Sequence, residues 1–188
     1  DAQGRHLANR TTYDNATFTG AKALSRHFTS GTYLWNASAV LFRKNAVQNV
    51  DWQWITNFKF CGDWLFWCML IETGGLLTVN KYLSYFRVHP RSVSSLESSQ
   101  YRAFTEGLDI VAWILKRYPL TMDGNLNACY AWLKKLNESK IDKTAKAEFE
   151  KRIRALFPVA YPLLLESALQ FRKIKTYLLT RYKSTSLS

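Results

Sequence analysis

Acidic residues are scarce in this chain: 14 Asp and Glu stand against 26 Lys and Arg, a formal net charge of +12. The imbalance disfavours cationic partners and favours polyanions such as nucleic acid, nucleotide diphosphates or anionic lipid surfaces. Zinc-finger spacing, an RNA-binding aromatic motif and a helix-turn-helix pattern are all missing, which makes nucleic acid the weaker of these readings. Cysteine is sparse and odd in number, at Cys61, Cys68 and Cys129. Three cysteines build no disulfide framework, and the Cys61 and Cys68 spacing does not match a zinc ribbon, so they read as reduced core residues of a cytosolic protein. The longest unbroken apolar run, Trp64 to Ile71, is too short to span a bilayer, and no signal-peptide pattern occurs. There is no internal repeat, no low-complexity tract and no glycine-rich phosphate loop between a strand and a helix.

Apolar material is plentiful. The 188 residues are 47% hydrophobic, ample for one packed core, and include seven Trp, ten Tyr and eleven Phe. That aromatic load exceeds what a helical core needs, so part of it lines a cleft or covers a face buried by another portion of a larger protein, with sugar stacking as the functional alternative.

The hydrophobic spacing divides the chain. Asp1 to Ser30 is polar with no sustained period and reads as a loop with one short helix around Gly20 to Phe28. Gly31 to Arg43, with Tyr33, Trp35, Val40, Leu41 and Phe42, reads as a buried strand, and Gln48 to Phe60 as irregular and aromatic. A helix is expected from Asp63, a favoured N-cap, to Gly74-Gly75, which would supply a left-handed terminus; its body is apolar all round and must be buried on most sides. Leu76 to Val79 and Tyr82 to Val88 read as two strands about a turn at Asn80-Lys81, ended by Pro90 and the serines through Ser99.

From Glu97 the period becomes helical. Tyr101, Phe104, Leu108, Val111, Leu115 and Tyr118 mark a first helix that Pro119 stops, and Leu126, Cys129, Tyr130, Leu133 and Leu136 mark a second. Phe149, Ile153, Leu156 and Phe157 mark a third, and a fourth follows Pro158 through Tyr161, Leu164, Leu165, Ala168, Phe171, Ile174, Leu178 and Tyr182. The expected fold is α+β and mostly helical, with a small sheet in 1–95 and a helical bundle in 96–188. The terminal basic run Arg172, Lys173, Lys175, Arg181 and Lys183 reads either as a solvated helix face or as a dock for anionic lipid heads.

Chemistry concentrates between Phe60 and Ser94. A lone carboxylate, Asp63, heads the apolar helix, and Arg87-Val88-His89 closes the strand-like run after it. An acid at a helix start can deprotonate a substrate hydroxyl, and Arg with His on a loop can hold phosphates or a metal. Asp63 equally serves as a plain N-cap, His89 as an ordinary loop histidine, and Arg87 as an ion-pair partner or a strand end. His6 and His27 have no partner pattern and read as surface residues.

Taken with Trp35-Asn36-Ala37-Ser38-Ala39-Val40-Leu41-Phe42-Arg43-Lys44, the residues Gly62, Asp63, Phe86, Arg87 and His89 resemble, in order and spacing, the C-terminal half of family 2 nucleotide-sugar glycosyltransferases of the GT-A type. The resemblance covers Gly31 to Ser94, about a third of the chain. It implies a partial α/β catalytic domain, with Asp63 as the general base of an inverting transfer. It further implies Arg87 near the donor diphosphate and His89 at a divalent Mg²⁺ or Mn²⁺ ion. Arg91 adds a third positive group nearby, and Trp35 and Asn36 read either as a stacking ring and a hydrogen-bonding amide for sugar or acceptor, or as members of a buried strand. In that family most metal ligands come from an Asp-x-Asp motif in a preceding nucleotide-binding half, and neither Asp-x-Asp nor Asp-x-Glu occurs in these 188 residues. The expectation is therefore the C-terminal portion of a larger enzyme, inactive by itself. The implied partners are a nucleotide-diphospho-sugar donor and a glycan or lipid-linked acceptor, with peripheral contact at the cytoplasmic membrane face during bacterial polysaccharide assembly. The competing reading is a basic helical interaction or nucleic-acid-binding domain without enzymatic activity.

Overall fold

A computed structural model describes residues 15–34, 37–81 and 97–166. Its organising element is helix α3, Gly62–Thr73, in which Trp64, Leu65, Trp67, Cys68, Met69, Leu70 and Ile71 are all buried. With apolar side chains on every face, this helix is stable only when surrounded. Helix α1 (Gly20–His27), the short helix α2 (Trp52–Thr56), a 3-10 turn at Lys44–Asn49 and strand β2 (Gly75–Thr78) all pack on it. Gly20 lets α1 approach closely, since a Cβ there would lie 2.3 Å from the Ile71 carbonyl oxygen. The helix ends at Gly74, whose φ of −138° is negative and not left-handed, so the chain runs into β2 without the expected cap.

The sheet has two antiparallel strands, β1 (Ala16–Thr19) and β2, in the register Ala16↔Thr78 to Thr19↔Gly75. β2 thus pairs with a segment that had read as part of a loop; four residues are too few to show a period. The expected partner strand, Tyr82 to Val88, lies outside the described residues. Among the described residues of Gly31 to Arg43 the expected buried strand is not formed. Gly31 turns the chain at φ 136°, Ala37–Ala39 forms a 3-10 turn, Val40 N–H donates to Ala37 O at 3.1 Å, and Arg43 O accepts from Ala46 N–H at 3.0 Å. Local bonds therefore take backbone groups that a sheet ladder would have needed.

Three long helices follow: α4 (Glu97–Arg117), α5 (Met122–Glu138) and α6 (Lys143–Leu156), with a further helical turn over 160–166. Thr121 caps α5 by accepting from Gly124 N–H, and Asp142 caps α6 by accepting from Thr144 and Ala145 N–H. The inward row of α5 is Ala128, Cys129, Trp132 and Leu136, while Tyr130, expected inside, is 58% exposed. At about 100° per residue Tyr130 lies on the side of α5 away from that row. The remainder of the expected fourth helix lies outside the described residues.

Helix makes up 68% of the described residues, so the chain is α+β and mostly helical. One apolar cluster joins α1 and α3 to α4, α5 and α6. The join is aromatic: the Trp64 ring of α3 stacks on Trp132 of α5, with centroids 6.3 Å apart and planes 15° from parallel. Gly107 of α4 lies against both rings, and a Cβ there would sit 2.7 Å from Trp132 Cη2 and 3.1 Å from Trp64 Cζ3. No helix among the described residues is long and apolar enough to cross a membrane.

Gly107→Ala tests this junction. Alanine improves helix propensity by about 1 kcal/mol, whereas overpacking costs about 1–3 kcal/mol and here meets two rigid rings. Because neither ring can give way, the cost falls at the upper end of that range, about 2–3 kcal/mol, and the expected result in urea denaturation is a net loss of about 1–2 kcal/mol; a variant as stable as wild type would contradict the packing.

Candidate functional site

The loop entering α3 is secured by a carboxylate from another helix. Glu106 of α4 accepts three successive backbone N–H groups, from Lys59 on Oε1 and from Phe60 and Cys61 on Oε2, each at 2.8 Å. Three charge-assisted bonds to consecutive amides fix that loop far more tightly than one capping side chain would. Cys61, not Asp63, occupies the N-cap position, and Cys61 offers no side-chain cap. Asp63 sits inside the first turn, where its Oδ1 accepts from Trp64 N–H at 2.7 Å. With Glu106 already on the amides before the helix, the cap position lies two residues earlier than expected, at Cys61, and the helix begins at Gly62.

Asp63 is exposed and forms no ion pair with any other described residue. As an anion at the positive end of a helix it is favourably placed. Beside it, the Cys61 thiol donates to Ala103 O at 3.7 Å. Burial first, then the charges of Glu106 and Asp63, push its pKa up to about 12, so Cys61 is a neutral thiol and no nucleophile at ordinary pH. Burial likewise raises Cys68, and it raises Cys129 to about 11. All three cysteines are free, with Cys68 and Cys129 buried.

A cation completes the cluster. Lys135 of α5 is exposed as a residue, yet its ammonium is turned inward, donating to Ser30 O at 2.6 Å and lying 4.9 Å from the Trp132 ring centre. Loss of water around the ammonium lowers its pKa. Trp132 Nε1 donates to Thr29 O at 2.8 Å, so α5 holds the turn 29–31 at two adjacent carbonyls. Gly31 suits that turn twice over: its φ is positive, and a Cβ would lie 2.6 Å from Lys135 Nζ.

Of the sequence-derived site residues, the structure describes Asp63 alone; Trp35, Asn36, Arg87, His89 and Arg91 lie outside the described residues. Glu106 and Lys135 had been passed over. Each sits on a helix whose apolar rows dominate the pattern, and a carboxylate contacting a distant loop leaves no local signature. His27 is also corrected: it is half-buried between Phe18 and Tyr33, with ring centroids at 4.7 and 4.4 Å, and burial lowers its pKa. Among the described residues no three His, Cys, Asp or Glu side chains gather as they would to hold a metal ion.

The other end of α3 carries a second carboxylate, Glu72, about 14 Å from Asp63 along the helix axis at 1.5 Å per residue. Glu72 is neutralised: Arg117 Nε lies 3.3 Å from Oε1, and Tyr118 OH donates to the same oxygen at 3.0 Å. An open groove of about 420 Å³ runs past it, lined among others by Asp51, Trp54, Trp113 and Arg117. Comparison with known proteins finds no match for this chain among family models, curated proteins or solved structures.

Removing the Glu106 carboxylate strands three amides, and each polar group left without a partner costs about 1–3 kcal/mol, less where water reaches it. Glu106→Ala is therefore expected to lose about 2–3 kcal/mol in urea denaturation and to expose Cys61 to thiol reagents at pH 8. Because the folded Cys61 pKa lies above its ordinary value of 9.0, its contribution to stability is complete below pH 9 and falls as pH rises toward about 12. Rapid Cys61 labelling in the wild-type folded chain at pH 8, or unchanged stability in Glu106→Ala, would contradict this arrangement.

Proposed function

We propose that this chain contributes the acceptor-activating part of an inverting glycosyltransferase that uses a nucleotide-diphospho-sugar donor, with Asp63 as general base. The observation that supports the reading is the asymmetry of α3. Of its two carboxylates, Glu72 is held by Arg117 and Tyr118, while Asp63 faces solvent at the helix N-terminus with no ion-pair partner among the described residues. A base needs an oxygen that can reach a substrate proton, and only Asp63 offers one.

In the proposed reaction a hydroxyl of a glycan or lipid-linked acceptor gives its proton to the Asp63 carboxylate while its oxygen bonds to C1 of the sugar. The bond from C1 to the diphosphate oxygen breaks on the opposite face, and the nucleotide diphosphate leaves with that electron pair. The Trp64 N–H bond to Oδ1 and the Glu106-fixed loop would hold the carboxylate in place, as preorganised acid–base catalysis requires. In this reading Arg87, Arg91 and His89 serve the diphosphate and a divalent ion, and Trp35 and Asn36 bind sugar or acceptor. Donor binding belongs to a nucleotide-binding portion with an Asp-x-Asp motif, which these 188 residues do not contain, and the proposed setting is the cytoplasmic side of a membrane.

Two assays test the reading. The 188-residue chain, incubated with nucleotide sugars, metal and acceptors, is expected to show no turnover. In a longer polypeptide that carries the donor-binding portion, Asp63→Asn is expected to lower transfer by roughly a hundredfold or more while donor binding persists. Transfer at near wild-type rate in Asp63→Asn would remove Asp63 from the mechanism.

A further inference from the structure

Immediately after the 3-10 turn at Ala37–Ala39 the chain presents Leu41, Phe42, Arg43, Lys44 and Asn45 in succession, all exposed. Leu41 is 101% exposed, and Phe42 and Trp52 about half. Single exposed apolar residues are ordinary; contiguous ones are not. Here they are contiguous. Phe42 stands edge-on to Phe66 at 5.7 Å and to Trp67 at 5.8 Å, and Trp52 lies 5.5 Å from the same Phe66 ring. Phe66 is thus the centre of an aromatic platform whose rear is the buried face of α3, with Leu41 projecting from its edge.

The charge around the platform indicates its partner. Across 40–60 there are three cations, Arg43, Lys44 and Lys59, against one carboxylate. That carboxylate, Asp51, is occupied as the N-cap of α2, accepting from Trp54 N–H at 2.9 Å. The apolar side chains protrude instead of lining a cavity, and Trp, Phe and Leu flanked by Arg and Lys is the combination that settles at a headgroup boundary.

We propose that Leu41, Phe42, Trp52 and Phe66, with Arg43 and Lys44, form a peripheral attachment surface for an anionic lipid bilayer. Leu41, Phe42 and Trp52 enter the boundary between headgroups and acyl chains, and Arg43 and Lys44 pair with lipid phosphates. The surface is separate from the basic C-terminal run, and the inference does not rest on glycosyl transfer.

Sedimentation of the whole chain with vesicles tests it, comparing phosphatidylcholine alone with phosphatidylcholine containing about a third phosphatidylglycerol. The wild-type chain is expected to sediment with the anionic vesicles and to be released by high salt. The double variant Leu41→Ser/Phe42→Ser is expected to bind at least about tenfold more weakly, and Arg43→Gln/Lys44→Gln to lose much of the preference for anionic lipid. Leu41 is fully exposed among the described residues, so Leu41→Ser by itself provides a variant whose thermal unfolding matches wild type. Failure of the wild-type chain to bind, unchanged binding in both double variants, or loss of binding only when Arg172, Lys173 and Lys175 become Gln would overturn the proposal. Protection of 41–44 by a protein partner without vesicle binding would overturn it as well.

Discussion

Helix α3 has no polar face, and the arrangement of the molecule follows from the need to cover it. Its seven buried side chains represent on the order of 10–20 kcal/mol of gross apolar burial, comparable to or larger than the net stability of a typical domain. No single neighbour can provide that cover. α1, β2 and the 44–49 turn pack along it, α2 joins them, and the Trp64–Trp132 stack ties it to the later helices. Gly20 and Gly107 stand where a methyl group would hold two of these layers apart.

Burial also determines what the ends of α3 can do. A helix enclosed along its body meets solvent at its termini, and both termini of α3 carry a carboxylate. At one, Glu72 is absorbed into an ion pair with Arg117 and a hydrogen bond from Tyr118. At the other, the amides before the helix are taken by Glu106 from α4, which leaves Asp63 without that structural duty. An exposed carboxylate on a rigidly held turn is the feature that makes acid–base chemistry at this end a reasonable proposal.

The sequence made α3 legible because an eight-residue apolar run between Gly62-Asp63 and Gly74-Gly75 admits few other structures. The later helices were legible through the spacing of Phe104, Leu108 and Val111, of Leu126, Cys129, Leu133 and Leu136, and of Phe149, Ile153 and Leu156, with Pro119 as a stop. Gly31 to Arg43 was misread because small residues with scattered aromatics satisfy a strand pattern just as they satisfy successive local turns, and only the hydrogen-bond partners separate the two. The β1–β2 pair escaped because pairing across some sixty residues leaves no local mark. At the candidate site Asp63 was found by its place before an apolar helix. Glu106 and Lys135 were not, because their roles arise from tertiary contacts with Cys61 and Ser30 that no spacing within α4 or α5 encodes.

The central physical claim is that α3 and the helices α4–α6 form one cooperative core, so that Asp63 is held by the whole fold and not by a loosely attached segment. Native-state amide hydrogen exchange resolves this directly. Amides of Leu65 to Ile71 are expected to exchange only through global unfolding, with the same denaturant dependence as those of Leu108 to Ile114 and Cys129 to Leu136. Exchange of the α3 amides through a smaller opening, at far lower free energy than those of α4 and α5, would contradict it.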